Sequence, residues 1–226
     1  NIQAIFPAVD FEKIQEMKEK SYLEIVHEDR IYRTEFCRMH VEDFAEHNNL
    51  VGFDHPENLL IAMFMFDETD INQYIQKIRD ERFVVGLVYI DNYEDALESV
   101  DDVRRSLFVG LVDKRVNKYF SAGAAIIRKL EKDKYLVVFR YKFLEKLLAD
   151  KFSLVEDIKS VKVGNEKTLT LSIAIGTGAA DYARNYDIAK AAMDLALGRG
   201  GDQVVIKNGN NTVSYTHLTL PTILRV

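Results

Sequence analysis

A single cysteine, Cys37, three prolines and no tryptophan in 226 residues set the first limits. One thiol forms neither an internal disulfide nor a cysteine-based zinc site, and it agrees with a reducing compartment. Cys37 reads as a small apolar strand residue. Basic runs are scarce too: none is longer than Arg104-Arg105, and the net charge is -6. The electrostatic footprint of a nucleic-acid binder is therefore missing. No window reaches the roughly 18 apolar residues of a membrane span. The start, Asn1-Ile2-Gln3, has neither an initiator Met nor a signal-peptide pattern, so the chain reads as an internal fragment.

What is there is ordinary for a globular chain: 47% hydrophobic and 29% charged residues, enough to bury a real core. Residues Phe11 to Lys20 read as a charged surface helix. "YLEIVHEDRIYRTEFCRMHV" alternates about a His27-Glu28-Asp29-Arg30 turn, as an antiparallel hairpin does. Glu42 to Glu57 is polar and loop-like. "NLLIAMFMFDET" is apolar at nearly every position, as in a strand covered on both faces or one at a dimer surface.

From Asp70 the polar helix "DINQYIQKIRDE" leads to the strand "FVVGLVYI" and marks a boundary between two modules. A helix over Tyr93 to Phe120 follows, then a strand pair, "AGAAIIRKL" and "YLVVFRY", across a tight Glu131-Lys132-Asp133-Lys134 turn. A helix around Lys142 to Leu148, the segment "KFSLVEDIKSV", the strand "TLTLSIAIGTG", the helix "YDIAKAAMDLALG" and the strand "QVVIK" complete the pattern. Alternating strands and helices with one hairpin predict an α/β sandwich on one sheet.

"LGRGGDQ" invites comparison with a phosphate-binding loop, but such a loop runs from strand into helix so that helix amides face the anion. Here Gly198 ends a helix and Gly200-Gly201 lead into a strand, which predicts a helix C-cap and turn. Asp91, Asp95, Asp101 and Asp102 read as the solvated start of a helix.

The strand end "VYIDNYEDAL" and the hairpin "RKLEKDKYLVV" together resemble the GGDEF domain of diguanylate cyclases, whose carboxylates hold two metals against a triphosphate. The hairpin reads Glu131-Lys132-Asp133-Lys134-Tyr135 where that family has Gly, Gly, Asp, Glu and Phe. Lys134 stands in place of a metal-binding Glu, Tyr89 in place of the first-strand Asp, and Leu97 in place of the Asn that contacts guanine. Asp91 matches the second Asp of the strand end. Cyclase chemistry is excluded on these residues.

This pattern, with "LTLSIAIGTG" and above all "AAMDLALGRGGDQVVIK", closely resembles the degenerate GGDEF domain of bacterial cyclic-di-AMP phosphodiesterases with DHH and DHHA1 domains. Upstream, "IFPAVDFEKIQE", the hairpin and "LLIAMFMFDET" resemble the second half of that family's PAS domain. The fold class implied is α+β: a partial PAS antiparallel sheet, then a nucleotide-cyclase-like α/β sandwich with one central sheet. The implied organisation is a PAS-like part at 1–69, a connector helix at 70–83 and a degenerate GGDEF domain at 84–210.

The resemblance implies a membrane-anchored parent that hydrolyses cyclic-di-AMP to the linear dinucleotide. It implies Mn²⁺ in a DHH region beyond this segment, and haem as a candidate PAS cofactor. His27, His40, His47 and His55 lie at turns or loops and read as solvated. A homodimer is expected, with membrane attachment only through helices upstream, on the cytoplasmic side of the plasma membrane.

No residue of this segment is expected to be catalytic or to ligate a metal. The alternative is a weak ATP-hydrolysing or nucleotide-binding module, with Asp91, Asn92 and Asp133 as the remaining polar candidates and Lys132 and Lys134 near phosphate charge. A free-standing binding module is a third reading. The end of the chain stands apart: "VSYTHLTLPT" is similar to translated sequencing-library adapter, and 213–226 is expected to be an artefactual tail.

Overall fold

Two residues with positive φ, Glu28 (47°) and Asp29 (61°), close the first hairpin between β1 (Lys20–His27) and β2 (Arg30–His40). Positive φ at both loop positions matches the twist of the flanking strands. The structure, a computed structural model, describes residues 6, 9, 20–40, 59–98, 100–209, 211–216 and 222–224. The expected helix over 11–20, apart from Lys20 in β1, and the loop at 42–57 lie outside those residues.

β3 (Leu59–Asp67) pairs antiparallel with β2, giving the order β1-β2-β3. One face of this sheet buries Ile25 and Phe36 with Val9. Phe64 and Phe66 on the other face remain exposed, so β3 is not covered on both faces. The guanidinium of Arg33 lies 4.5 Å from the centre of the Phe66 ring and donates to Glu68 at 2.6 Å.

The chain divides into two compact units, Asn1–Ile78 and Arg79–Val226, with the division inside α1 (Thr69–Glu81). No α1 residue is buried; Ile71, Tyr74, Ile75 and Ile78, spaced as one helical stripe, are 56–65% exposed.

The second unit is built on β4 (Phe83–Ile90), β5 (Ile126–Lys129), β6 (Lys134–Arg140), β7 (Leu171–Thr177) and β8 (Gln203–Asn208). β9 (Asn211–Thr216) and β10 (Thr222–Leu224) add to the β8 edge, and the full order is β10-β9-β8-β7-β4-β6-β5. The stretch set apart in the sequence as a tail thus carries strand pairing. Pairing of this kind uses main-chain groups that every residue carries, so it is open to any extended segment beside an edge.

Only β7 and β8 are parallel, and α6 (Tyr182–Gly198) is their crossover. Strand alternation sends Val84, Val88, Tyr135, Val137, Phe139, Ile173 and Ile175 to one face of the sheet. There they meet α2 (Tyr93–Leu97), α3 (Asp102–Ser121), α4 (Tyr141–Ala149) and α5 (Leu154–Lys159). Burial of Phe108 and Phe120 in this layer stabilises the fold by roughly 2 kcal/mol each.

The opposite face is lined by small residues. Ser172, Ala174 and Gly176 of β7 face an alanine stripe on α6, with Ala189, Ala192 and Ala196 all buried. A Cβ on Gly176 would stand 2.0 Å from the Asn185 carbonyl oxygen, so the glycine is what lets helix and strand approach. Among the described residues no helix is long and apolar enough to cross a membrane.

The single helix expected over Tyr93 to Phe120 is two helices. Val100 N–H closes the first on the Leu97 carbonyl. Asp101 then turns extended (ψ 160°) and accepts the Arg104 N–H at 3.0 Å, capping α3. The segment "KFSLVEDIKSV" supplies α5, and α6 begins four residues earlier than its apolar pattern, at Tyr182, because Asp181 caps it by accepting the Arg184 N–H at 2.8 Å.

Candidate functional site

The end of β4 and the β5–β6 turn meet in register, with Tyr89 opposite Lys134. The Lys134 ammonium lies 5.5 Å from the centre of the Tyr89 ring and 2.7 Å from Glu131 Oε2. The hydrogen bond to Glu131 raises the Lys134 pKa, and burial raises that of the Tyr89 phenol, so the pair is a cation against a neutral ring at neutral pH. A divalent cation set between these positions would meet an ammonium where the cyclase pattern offers a carboxylate. The repulsion scales as the product of the charges over distance, and the nearest carboxylate, Glu131, is already taken up by Lys134.

Asp91 and Asn92, just past the end of β4, are engaged by the fold. Asp91 Oδ2 accepts the Asp202 N–H at 2.9 Å, and the Asp91 N–H donates to the Thr170 carbonyl at 3.0 Å. Gly201 makes room for this contact: its φ is +75°, and a Cβ there would lie 2.7 Å from Asp91 Oδ2. Burial raises the Asp91 carboxyl above the ordinary carboxylate range, against the opposing pull of the Asp202 amide. Asn92 Nδ2 donates to the Thr168 carbonyl at 2.8 Å, and its Oδ1 accepts the Thr170 N–H at 2.9 Å. Asp133 belongs to the hairpin turn instead; its carbonyl accepts the Ile90 N–H at 2.9 Å while its side chain is half-buried.

The Gly-Arg-Gly-Gly turn serves as a helix C-cap, as its order in the chain requires. The N–H groups of Arg199 and Gly201 return to the Ala196 carbonyl, and that of Gly200 to Leu197. Asp202, just beyond, pairs with Lys159 of α5 at 2.7 Å. Burial works against the Lys159 charge, but hydrogen bonds to Asp202 and Glu156 outweigh it and raise its pKa. Among the described residues, Asp91 Oδ1 and Asp202 Oδ1 are buried without a hydrogen-bond partner.

Sequence reasoning missed the Asp91–Asp202–Lys159 linkage, because its members come from three distant elements with no local spacing to betray them. It also missed Tyr135, whose buried hydroxyl donates to Asp113 while the Lys129 ammonium meets the same carboxylate at 2.7 Å.

Beside the hairpin, α2 and α3 enclose a cavity of about 690 Å³ lined by Tyr93, Leu97, Arg105, Lys129, Glu131 and Lys132. Leu97 gives this wall an apolar surface in place of a hydrogen-bonding amide.

Residues 88–214 match the family described as cyclic-di-AMP phosphodiesterase GdpP-like, GGDEF domain. The cyclic-di-AMP phosphodiesterase GdpP of Geobacillus thermodenitrificans (strain NG80-2) is 30% identical over 153 residues, which are 68% of this chain and 23% of that protein. The cyclic-di-AMP phosphodiesterase PdeA of Listeria monocytogenes serotype 1/2a is 29% identical over 153 residues, with the same 68% and 23% coverage. The solved GGDEF domain of FimX from Pseudomonas aeruginosa is 15% identical, with a TM-score of 0.48, over 61% of this chain and 88% of that one.

The chain thus spans about a quarter (23%) of the length of these curated relatives. Both the strand end that carries Tyr89 and Asp91 and the glycine turn that receives Asp91 fall inside the matched residues, and the chain belongs to the cyclic-di-AMP phosphodiesterase GdpP-like GGDEF-domain family.

Proposed function

We propose that this chain is the regulatory segment of a cyclic-di-AMP phosphodiesterase: the end of a PAS-like sensor and a GGDEF-type domain that no longer performs cyclase chemistry. The observation that carries this reading is the Lys134–Tyr89 contact, in which both positions expected to hold metal-binding carboxylates pair with each other instead. Hydrolysis of cyclic-di-AMP to the linear dinucleotide belongs to a DHH and DHHA1 pair outside this segment, where Mn²⁺ supplies a metal-activated water. The parent is anchored in the plasma membrane with this segment on the cytoplasmic side.

Regulation in this reading works by population shift within a homodimer: a change in the sensor alters the GGDEF-type domain and biases the hydrolase. The exposed stripe Ile71, Tyr74, Ile75 and Ile78 on α1 supports pairing of two copies, since an unpartnered apolar face of this spacing fits a second helix. Haem finds little support at His27, which lies at the hairpin turn, 4.9 Å between ring centres from Phe6 and 3.8 Å from Glu28 Oε1. The side chains of His40, His47 and His55 lie outside the described residues.

The test is to read the gene on both sides of this segment and assay the product. We expect coding for a DHH domain downstream, cyclic-di-AMP hydrolysis by the full protein, and no cyclic dinucleotide made by this chain from ATP or GTP with Mg²⁺ or Mn²⁺. Cyclic dinucleotide formation by the chain, or a gene without the DHH domain, would overturn the reading.

A second reading, ATP binding with slow hydrolysis, is favoured by the cavity beside the hairpin. Arg105, Lys129 and Lys132 line it together with the Tyr93 ring. Asp91 and Asn92 are engaged by Asp202, Thr168 and Thr170, and Lys129 by Asp113, which leaves Lys132 and the outer edge of Arg105 to meet a triphosphate. ATP turnover that survives changing both Asp91 and Asp133 to Ala would exclude those two carboxylates from it.

A further inference from the structure

β4 and α6 are tied to each other at both ends. At their starts the Phe83 and Tyr182 rings lie 5.5 Å apart between centres, and Asn185 Nδ2 donates to the Phe83 carbonyl at 3.2 Å. Asn185 is 4% exposed and its Oδ1 accepts the Ala179 N–H at 3.0 Å, so both ends of its amide are held. At their far ends Asp91, just past β4, accepts the N–H of Asp202, just past the glycine turn that closes α6. Gln203, itself buried, steadies that turn by donating to the Ala196 carbonyl at 3.0 Å.

The two elements match in length. The 17 residues of α6 rise roughly 25 Å and the 8 of β4 roughly 26 Å. α6 contains no proline, and its only glycine is its last residue, so it is stiff along its axis. Between the tied ends, Ala189, Ala192 and Ala196 rest on Ala174 and Gly176. Such short side chains hold the helix close without interlocking along its axis, which is the kind of contact that small sliding displacements use. β4 has no such freedom, because β6 and β7 fix its register by hydrogen bonds on both sides. The end of α1 arrives at the same corner, with only Arg82 between it and Phe83. Arg79 lies 5.3 Å from the centre of the Tyr141 ring, and the Tyr141 N–H donates to the Arg82 carbonyl at 2.7 Å.

We propose that α6 is the transmission element of the second unit. A shift of the end of α1 is felt at Phe83, Tyr182 and Asn185 pass it into α6, and Asp202 delivers it to Asp91 beside the hairpin. Tyr182 and Asn185 are positioning residues in this scheme, acting through the helix they begin. The proposal deepens the regulatory reading above and rests on it for the origin of the signal. The coupling itself is a property of this chain alone, so its failure would leave the hydrolase reading to the gene and product assay that tests it.

The test reads amide shifts and hydrogen exchange in the ¹⁵N-labelled intact chain. Tyr182 is 58% exposed, so Tyr182→Ala leaves the core filled. It should shift the Gly201 and Asp202 amides at the other end of α6 and speed exchange of the Asp202 N–H roughly fivefold. Tyr182→Phe keeps the ring and should leave both amides unchanged. Arg184→Ala, on the same turn with a side chain 76% exposed, should leave them unchanged too. In the reverse direction Asp91→Ala should shift the Tyr182 and Asn185 amides, since coupling is reciprocal. Arg79→Ala, which frees the end of α1 from Tyr141, should shift both ends of α6 together. Shifts that fade within one turn of Tyr182, or an Arg184→Ala effect on Asp202 equal to that of Tyr182→Ala, would overturn the proposal. So would Asp91→Ala shifts confined to β4 and the glycine turn, or an Arg79→Ala chain in which the Asp202 amide does not move.

Discussion

The ammonium of Lys134 faces the ring of Tyr89 across two paired strands, 5.5 Å from its centre. Each residue replaces a carboxylate of the resembled cyclase pattern, and the two replacements meet. The two replacements are therefore in contact, and their effects on metal binding are to be tested together. The cation and the ring attract each other, and the ammonium stands where the resembled pattern turns a carboxylate toward a metal.

That coupling predicts the outcome of restoring both groups. The double variant Tyr89→Asp with Lys134→Glu should bind Mn²⁺ measurably by calorimetry, whereas either single variant should bind much more weakly, since each keeps one unsuitable partner. Equal Mn²⁺ binding by the unaltered chain and the double variant would refute the account.

Asp91 predicts a pH dependence. Its folded pKa is raised by burial, so the folded state holds the proton more tightly than the unfolded chain does. Its contribution to stability is present below the ordinary carboxylate pKa of about 4 and is lost as pH rises through the folded value. Asp91→Asn keeps an acceptor for the Asp202 N–H and removes the charge that burial disfavours. The variant should be more stable than the parent chain at pH 7 and equal to it below about pH 4, read from urea midpoints. A difference that does not change with pH would remove Asp91 as the cause.

Gly201 and Asp91 form a testable pair. Gly201→Ala places a Cβ at positive φ and against the Asp91 carboxylate, and should cost about 1–3 kcal/mol. Combining it with Asp91→Ala should recover the part due to the clash but not the part due to φ. A double-mutant cycle separates the two, and strict additivity would mean that the contact is not felt.

Gly176→Ala should be more damaging, because the added Cβ meets the α6 backbone, which cannot rotate away. A loss of about 3 kcal/mol in chemical denaturation is expected. A change below about 1 kcal/mol would show that α6 can ride outward on the sheet.

The α1 stripe carries the dimer expectation. Light scattering of the chain should approach twice 26.0 kDa at high concentration, and Ile75→Glu with Ile78→Glu should return it to one copy while leaving the melting temperature of the second unit unchanged. A mass of one copy at every concentration would count against pairing through this face.

Much of the architecture was legible locally. Alternation in "YLEIV" and "YLVVF" gave strands because one face of each is buried, and the order helix, Gly-Gly, strand identified a C-cap rather than a phosphate loop. The break at Asp101 was not legible, since a capping aspartate inside an amphipathic run looks like one more polar position until its side chain is seen accepting the Arg104 N–H. The function of Gly176 and Gly201 was hidden for another reason. A glycine's use depends on what approaches it, and the groups concerned, Asn185 and Asp91, arrive from elements elsewhere in the chain.

The sequence by itself determined that two of the cyclase carboxylates are gone, because residue identity fixes the group on offer: Lys134 carries an ammonium and Tyr89 a phenol where the resembled pattern has carboxylate oxygens. It also carried the family resemblance, in "LTLSIAIGTG" and "AAMDLALGRGGDQVVIK", which the match over residues 88–214 bears out. Only the tertiary structure decided what the surviving polar residues do. Asp91 and Asp202 are 111 positions apart, and whether a carboxylate meets a metal, a nucleotide or a backbone amide is settled by packing across the sheet, which no local pattern encodes.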